Sequence, residues 1–353
     1  MMANTSLAKQ LVWQNRIKLL FFISAMIVAG VVVFAVQGLL LSLVLAMIIN
    51  YILSPIVSQM EARGYNRITA VSVTFVGFTL LMAALVGAIS PFIAKQISGL
   101  QGELPKYIDG TVALVAKWQG ILENASGGMI EYDNSSNGIA EWLDAQSRAI
   151  LLNLPQYLSS SASVMILSPF IGFFLIKDGR QFARNILGIV PNSIFEMTLN
   201  LQFQINDQIA QYFRARFLEA AIVGFIVLVG LLAVGFPYAV VLALFAAVTN
   251  LIPYIGPIVG AVPAIIIALI NQDSQVTLFL VIMVYAVAQL VDVFFIIPLV
   301  VAKIVDLHPV TVILAVLVGA QLLGVLGMLI SIPIFSALKV TFVTVYRHLT
   351  DFG

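Results

Sequence analysis

The sequence contains no cysteine. That count alone excludes disulfides, thiolate nucleophiles and cysteine-ligated metal sites. Histidine is nearly absent too: the two present, His308 and His348, are too few for a histidine-rich metal centre. Charged residues make up 9% of the chain, against roughly 25% in ordinary soluble domains. The net charge of +1 leaves no basic footprint for nucleic acid. No GxxxxGK[ST], GxGxxG or HExxH pattern occurs, so phosphate-loop, dinucleotide and zinc-protease chemistry find no support. No cofactor is implied, and no catalytic constellation presents itself.

What is abundant is apolar sequence. Hydrophobic residues are 61% of 353, and the mean hydropathy is +1.08, which describes an all-α integral membrane protein. A spanning helix needs about 20 apolar residues to cross roughly 30 Å of hydrocarbon. Clear runs occupy Ile17 to Val36, Gly38 to about Asn50, Ile68 to Ser90, Leu158 to Ile176, Phe217 to Gly235 and Val276 to Val301, or about six transmembrane helices. The opening MMANTSLAKQLVWQNR lacks a small-residue cleavage site, so the first span is expected to act as its own insertion signal.

Polar segments separate the runs. Residues 91–157 carry AKWQGILENA and NGIAEWLDAQSRAILLNL around a Gly/Ser/Asn-rich hinge at Gly127 to Gly138, the pattern of amphipathic helices in a small extracytoplasmic domain. Four basic and seven acidic residues fall there. The other thirteen basic residues, with Glu61, Asp178, Glu196, Asp207, Glu219, Asp306 and Asp351, are assigned to the opposite face, so positive charge puts both termini in the cytoplasm. The expected division is 1–90 N-terminal transmembrane helices, 91–157 extracytoplasmic insertion, 158–216 a transmembrane helix with a cytoplasmic amphipathic region, and 217–353 the transport core.

Two apolar runs, Tyr238 to Ile270 and Val310 to Lys339, are too long for one span and too short for two. Within the first, NLIPYIGPIVGAVPAI places Pro253, Gly256, Pro257, Gly260 and Pro263 where an unbroken helix would be easier to build. Proline lacks an amide donor and suits turns or first turns, while glycine reaches backbone angles others resist. The reading is a re-entrant hairpin with its tip at the break. The second run repeats the device with Gly319, Gly324 and Gly327 around a turn and Pro333 beyond it. Returning each run to its starting face also leaves Lys303, Lys339 and Arg347 cytoplasmic. A smaller break is expected at Asn50 to Pro55, ending the second span. Discontinuous helices of this kind build transporter substrate sites near the bilayer midplane.

Asp292, in YAVAQLVDVFFIIP, is the one carboxylate read inside an apolar span. Buried ionisable groups mark ion or substrate paths, or else serve as interhelical struts; both roles stay open, and a buried carboxylate makes proton coupling conceivable. Gln289 lies three residues earlier on the same helical face. Asn50, Asn250, Tyr254 and Gln321 are candidates to join it around a cavity for a small polar molecule. His308, in DLHP, reads as a helix cap.

Five ordered stretches, LSLVLAMIINYILSPIVSQMEARGYNRITA, FFLIKDG, NLIPYIGPIVGAVPA, QLVDVFFIIPLVV and DLHPVTVILAVLVGAQLLGVLGMLISIPIFSALKV, resemble the bacterial autoinducer-2 exporter (AI-2E) family of inner-membrane proteins. The resemblance implies export of autoinducer-2, or sodium/proton antiport in some members, by homopentamers with an elevator-like moving part. Pro253, Tyr254, Gly256 and Pro257 match the family's hairpin motif, and Gly324 with Gly327 its C-terminal glycine motif. Asp292 matches the family's aspartate, but Val293 stands where asparagine is common, which removes a polar group. The function expected is therefore a secondary transporter for a small polar metabolite in a lipid bilayer. A sodium/proton antiporter using Asp292, or a non-transporting membrane scaffold, are the alternatives.

Overall fold

A computed structural model describes residues 38–125, 135–188, 194–271, 275–301 and 307–351, with a few isolated positions besides. The described chain is helical: α1 (Leu39–Ala62), α2 (Arg67–Ala125), α3 (Ser135–Leu187), α4 (Phe195–Ala233), α5 (Ala239–Thr249), α6 (Ile255–Asn271), α7 (Gln275–Val291), a π-helical continuation of α7 (Asp292–Val301), and α8 (Pro309–Asp351). Among the described residues, five helices are long and apolar enough to cross a membrane. The expected first span, Ile17 to Val36, lies outside them apart from isolated positions, as do Lys303, Asp306 and most of the expected hinge at 127–138.

Two expectations change at the N-terminal side. No break ends the second span at Asn50 to Pro55; α1 continues through Pro55 to Ala62. The proline is tolerated because the helix is pinned around it: Tyr51, Leu53 and Val57 are buried, and the Ser54 hydroxyl donates to the Asn50 carbonyl at 2.6 Å. Neighbouring helices and serine hydroxyls commonly rescue such helices. The chain turns instead at Gly64, whose φ of 94° favours glycine. Second, residues 91–125 do not start new helices but prolong α2, 59 residues in one piece, or about 88 Å at 1.5 Å per residue.

Three apolar clusters hold the fold. Val44, Ile48 and Tyr51 of α1 pack with Phe213 of α4 and Val316 and Ile332 of α8. Leu53 and Val57 pack with Ala70 and Val71 of α2 and Ile176 of α3. The largest joins Val223, Val227 and Leu231 of α4 to Leu242 and Ala246 of α5, Ala264 and Ile267 of α6, Val281 of α7 and Ile296 beyond it.

Both awkward runs fold back on themselves. After α5 the backbone tightens, Ile252 N–H donating to Thr249 O at 2.9 Å and Gly256 N–H to Ile252 O at 3.0 Å, with Tyr254 in the left-handed region at φ 64°. Gly256 then packs so closely on the Thr249 carbonyl that a Cβ would overlap it. In α8 the reversal falls at Gly324, φ 59° and ψ −138°, a combination open in practice only to glycine. Gly319 and Gly327 meet backbone to backbone across it. His308 caps α8, its Nδ1 accepting the Val310 N–H at 3.3 Å.

Candidate substrate cavity

The tip of the first hairpin closes one side of a cavity of about 540 Å³. On α4, Tyr212, Arg216, Glu219 and Val223 face it; their spacing of four, three and four puts them on one helical stripe. On α7 and its continuation, Tyr285, Gln289 and Asp292 do the same. The hairpin adds Asn250, Pro253, Tyr254 and Pro257, and Leu307, Pro309, Val312 and Ile332 complete the wall.

The helix changes character at the acidic residue itself. Asp292 opens the ten-residue π-helical stretch, and departures of this kind from α geometry recur at functional sites. Pro298 sits within it.

Arg216 donates through Nη1 to Glu219 Oε1, an ion pair within α4. Glu219 is 1% exposed and Asp292 3%, and the two carboxylates lie close enough to interact, with Arg216 near both. Two carboxylates therefore share one guanidinium away from water. Around them, Tyr212 Oη, Arg216 Nε, Glu219 Oε2, Asn250 Nδ2, Tyr285 Oη and Asp292 Oδ1 have no hydrogen-bond partner in the protein. These are all the buried, unpartnered side-chain polar atoms among the described residues, and each belongs to a residue of this one wall. Buried polar groups are ordinarily paired. Six such atoms, donors and acceptors alike, belong to residues that line one hollow.

Of the residues singled out in the sequence, Asn250, Tyr254, Gln289 and Asp292 come together here. Gly256 and Gly260 shape the hairpin from behind, with Gly260 against Thr249 Oγ1 and Ala246. Gln321 is exposed on the second hairpin, and neither it nor Asn50 lines the cavity. Two residues were misassigned: Arg216 and Glu219, counted with the cytoplasmic charges, are buried beside Asp292. Among the described residues, Asp292 is thus one of two buried carboxylates. The missed signal is YFRARFLEAA, where Tyr212, Arg216 and Glu219 continue one helical stripe across the boundary drawn at Phe217.

A family model described as "AI-2E family transporter" matches residues 20–347. The chain belongs to that family. The AI-2E chain is 30% identical to YueF of Bacillus subtilis (strain 168) over 88% of its own length and 85% of that protein. It is 24% identical to the AI-2 transport protein TqsA of Escherichia coli (strain K12), over 95% and 94% of the two chains. It is 22% identical to a sodium-lithium/proton antiporter of Halobacillus andaensis, over 86% and 88%. Membership assigns this AI-2E protein a transport role in a membrane it crosses several times.

Proposed function

We propose that this AI-2E protein is a secondary transporter that exports a small polar metabolite, autoinducer-2 or a solute of the same kind, by alternating access at its two hairpins. One observation carries the reading: the buried, unpartnered polar atoms of the described chain converge on a single cavity at a hairpin tip. A volume of about 540 Å³ falls within the roughly 300–1,000 Å³ of small-molecule sites. Substrate would be held by Asn250, Tyr254, Gln289 and Asp292, joined by Tyr212, Arg216, Glu219 and Tyr285. The hairpin residues Pro253, Gly256, Pro257 and Gly260, with Gly319, Gly324 and Gly327 of the second hairpin, would let the tips close and part. The name and near full-length match of TqsA support the choice of autoinducer-2. To the same reading belong re-entry of both hairpins from the bilayer face they leave, a bacterial inner-membrane homopentamer with cytoplasmic termini, and residues 91–157 outside. The test is efflux from proteoliposomes across a panel of solutes and ion gradients; transport no faster than from empty vesicles under every gradient would refute it.

A second reading, cation/proton antiport, is favoured by the two carboxylates that share Arg216. With both ionised the cluster is one positive charge short of neutrality, and a proton or small monovalent cation would complete it. The relative named as a sodium-lithium/proton antiporter supports it. Asp292→Asn separates the two: it should abolish ion-coupled flux outright, whereas export of a neutral solute, which keeps Asn250, Tyr254 and Gln289 as partners, should weaken without being lost. Scaffolding is disfavoured, since it calls for hairpin tips packed away without a polar hollow, whereas Tyr254 at the tip is 54% exposed.

A further inference from the structure

One stripe of α2 grips the base of the first hairpin, at the end away from the cavity. Gln96 Oε1 accepts the Val241 N–H at 3.1 Å, an amide in the first turn of α5, which has no side-chain cap of its own. Three residues on, Gly99 lies against the ring of Tyr238, with 3.3 Å between a Cβ there and Cε1. One turn further, Glu103 accepts the Tyr107 hydroxyl at 2.6 Å and lies within hydrogen-bonding reach of Tyr238. Lys106 Nζ donates to Asn271 Oδ1 at 2.6 Å, at the end of α6. Gly110 closes the stripe: a Cβ there would come within 2.7 Å of the Ile270 side chain. Spacings of three and four keep these residues on one face. Tyr107, 5% exposed, belongs to the same apolar cluster as the hairpin.

The other end of α2 is tied elsewhere. Ala70 and Val71 pack with α1 and α3, while Arg67 Nε donates to Lys177 O at 2.8 Å and Nη1 pairs with Glu61 at 3.1 Å. Between the two anchors no described residue packs closely on the helix. Every residue from 79 to 92 is exposed. In this stretch Pro91 has no amide hydrogen for the Gly87 carbonyl four residues back, and the Ser90 hydroxyl stands 3.4 Å from that oxygen, a poor substitute. The helix holds a second proline, Pro105, but that one lies between Glu103 and Lys106 and is braced by the hairpin.

We propose that α2 is a lever: residues 96–110 travel with the first hairpin as one body, and Gly87 to Pro91 is the flexure about which that body swings relative to α1 and α3. The proposal rests on the transport reading, since the swing is what would carry the hairpin tip between access states. Helices bend where a proline interrupts the hydrogen-bond ladder, and of the two prolines of α2 this is the one that no described residue packs against to hold straight.

The chain lacks cysteine, so a single thiol reports cleanly. With Ile258→Cys, on the cavity wall and 69% exposed, an impermeant maleimide is applied to right-side-out and inside-out vesicles. Labelling from both faces is expected. Pro91→Ala restores the missing hydrogen bond and should bias labelling toward one face by at least about fivefold, with the unfolding midpoint unchanged or higher. Equal labelling in Pro91→Ala and its parent overturns the lever and leaves alternating access standing; one-sided labelling of the parent overturns both. Gly110→Cys with Ile270→Cys, oxidised to a disulfide, should leave labelling as it was. Loss of two-sided labelling at position 258, read by peptide mass so that the thiols at 110 and 270 do not count, and restored when the disulfide is reduced and the reductant removed, would show that the grip has to open and overturn the proposal.

Discussion

Arg216→Gln removes the only cation among the described residues of a cluster whose carboxylates, Glu219 and Asp292, are 1% and 3% exposed. Breaking a buried ion pair by deleting one partner costs about 3–5 kcal/mol, because the remaining charge keeps its desolvation penalty without its counter-charge. Here the two carboxylates are left without a counter-charge, and uptake of a proton between them keeps the cost within that range. Glu219→Gln perturbs the same ion pair differently. It removes one of the two negative charges, leaves Arg216 near Asp292, and loses only a charge-assisted hydrogen bond, about 1–2 kcal/mol. At roughly 2 °C per kcal/mol for a chain of this size, Arg216→Gln should lower the unfolding midpoint by about 6–10 °C and Glu219→Gln by about 2–4 °C. In the double variant only Asp292 stays charged, so its loss should fall short of the sum of the singles, as coupled sites require. The assay is the folded fraction recovered by size exclusion after heating in detergent, at one heating rate for all variants because unfolding of such proteins is commonly irreversible. An Arg216→Gln midpoint within about 1 °C of the parent, or a larger loss in Glu219→Gln, would refute the charge argument.

Gly256→Ala should prevent the first hairpin from closing, since its Cβ would overlap the Thr249 carbonyl; the check is a midpoint drop of about 3 kcal/mol or more with loss of transport. Gly324→Ala meets nothing within 4 Å but must hold φ 59° with ψ −138°, outside the left-handed well, so its cost should be about 1–3 kcal/mol, and the same melting series ranks it below Gly256→Ala. Tyr254→Gly relieves a left-handed tyrosine and should raise the midpoint slightly, by up to about 1 kcal/mol, while efflux falls. Gln96→Ala uncaps α5 and should cost about 1 kcal/mol, whereas Gln96→Glu, which keeps an acceptor for the Val241 amide, should recover most of it.

The reversals inside the two long apolar runs were legible in the sequence because their evidence is local and redundant. Length, proline and glycine all spoke to the same few residues, and the observed reversals fall at Tyr254 and Gly324 within the expected runs. Pro55 shows the limit of that reasoning. A proline tells where a hydrogen bond is missing, but not whether neighbours will hold the helix straight; burial of Leu53 and Val57 decides it in α1, and the bare flank of Pro91 leaves it open in α2.

The charge cluster was half legible for a different reason. Asp292 stands deep in an apolar run, so its burial could be read from neighbours in sequence. Glu219 stands three residues inside a run and Arg216 one residue outside, where hydropathy alone assigns charges to the bilayer surface. The helix does not end at that boundary: α4 is continuous from Phe195 to Ala233, and the stripe of Tyr212, Arg216, Glu219 and Val223 crosses it without a change of face. What the pair meets there is a carboxylate more than seventy positions later in the chain, brought alongside by the packing of α4 against α7 and its π-helical continuation. A hydrophobicity scan has no access to that contact, whereas a scan for polar residues sharing one helical stripe would have marked α4 as facing something polar.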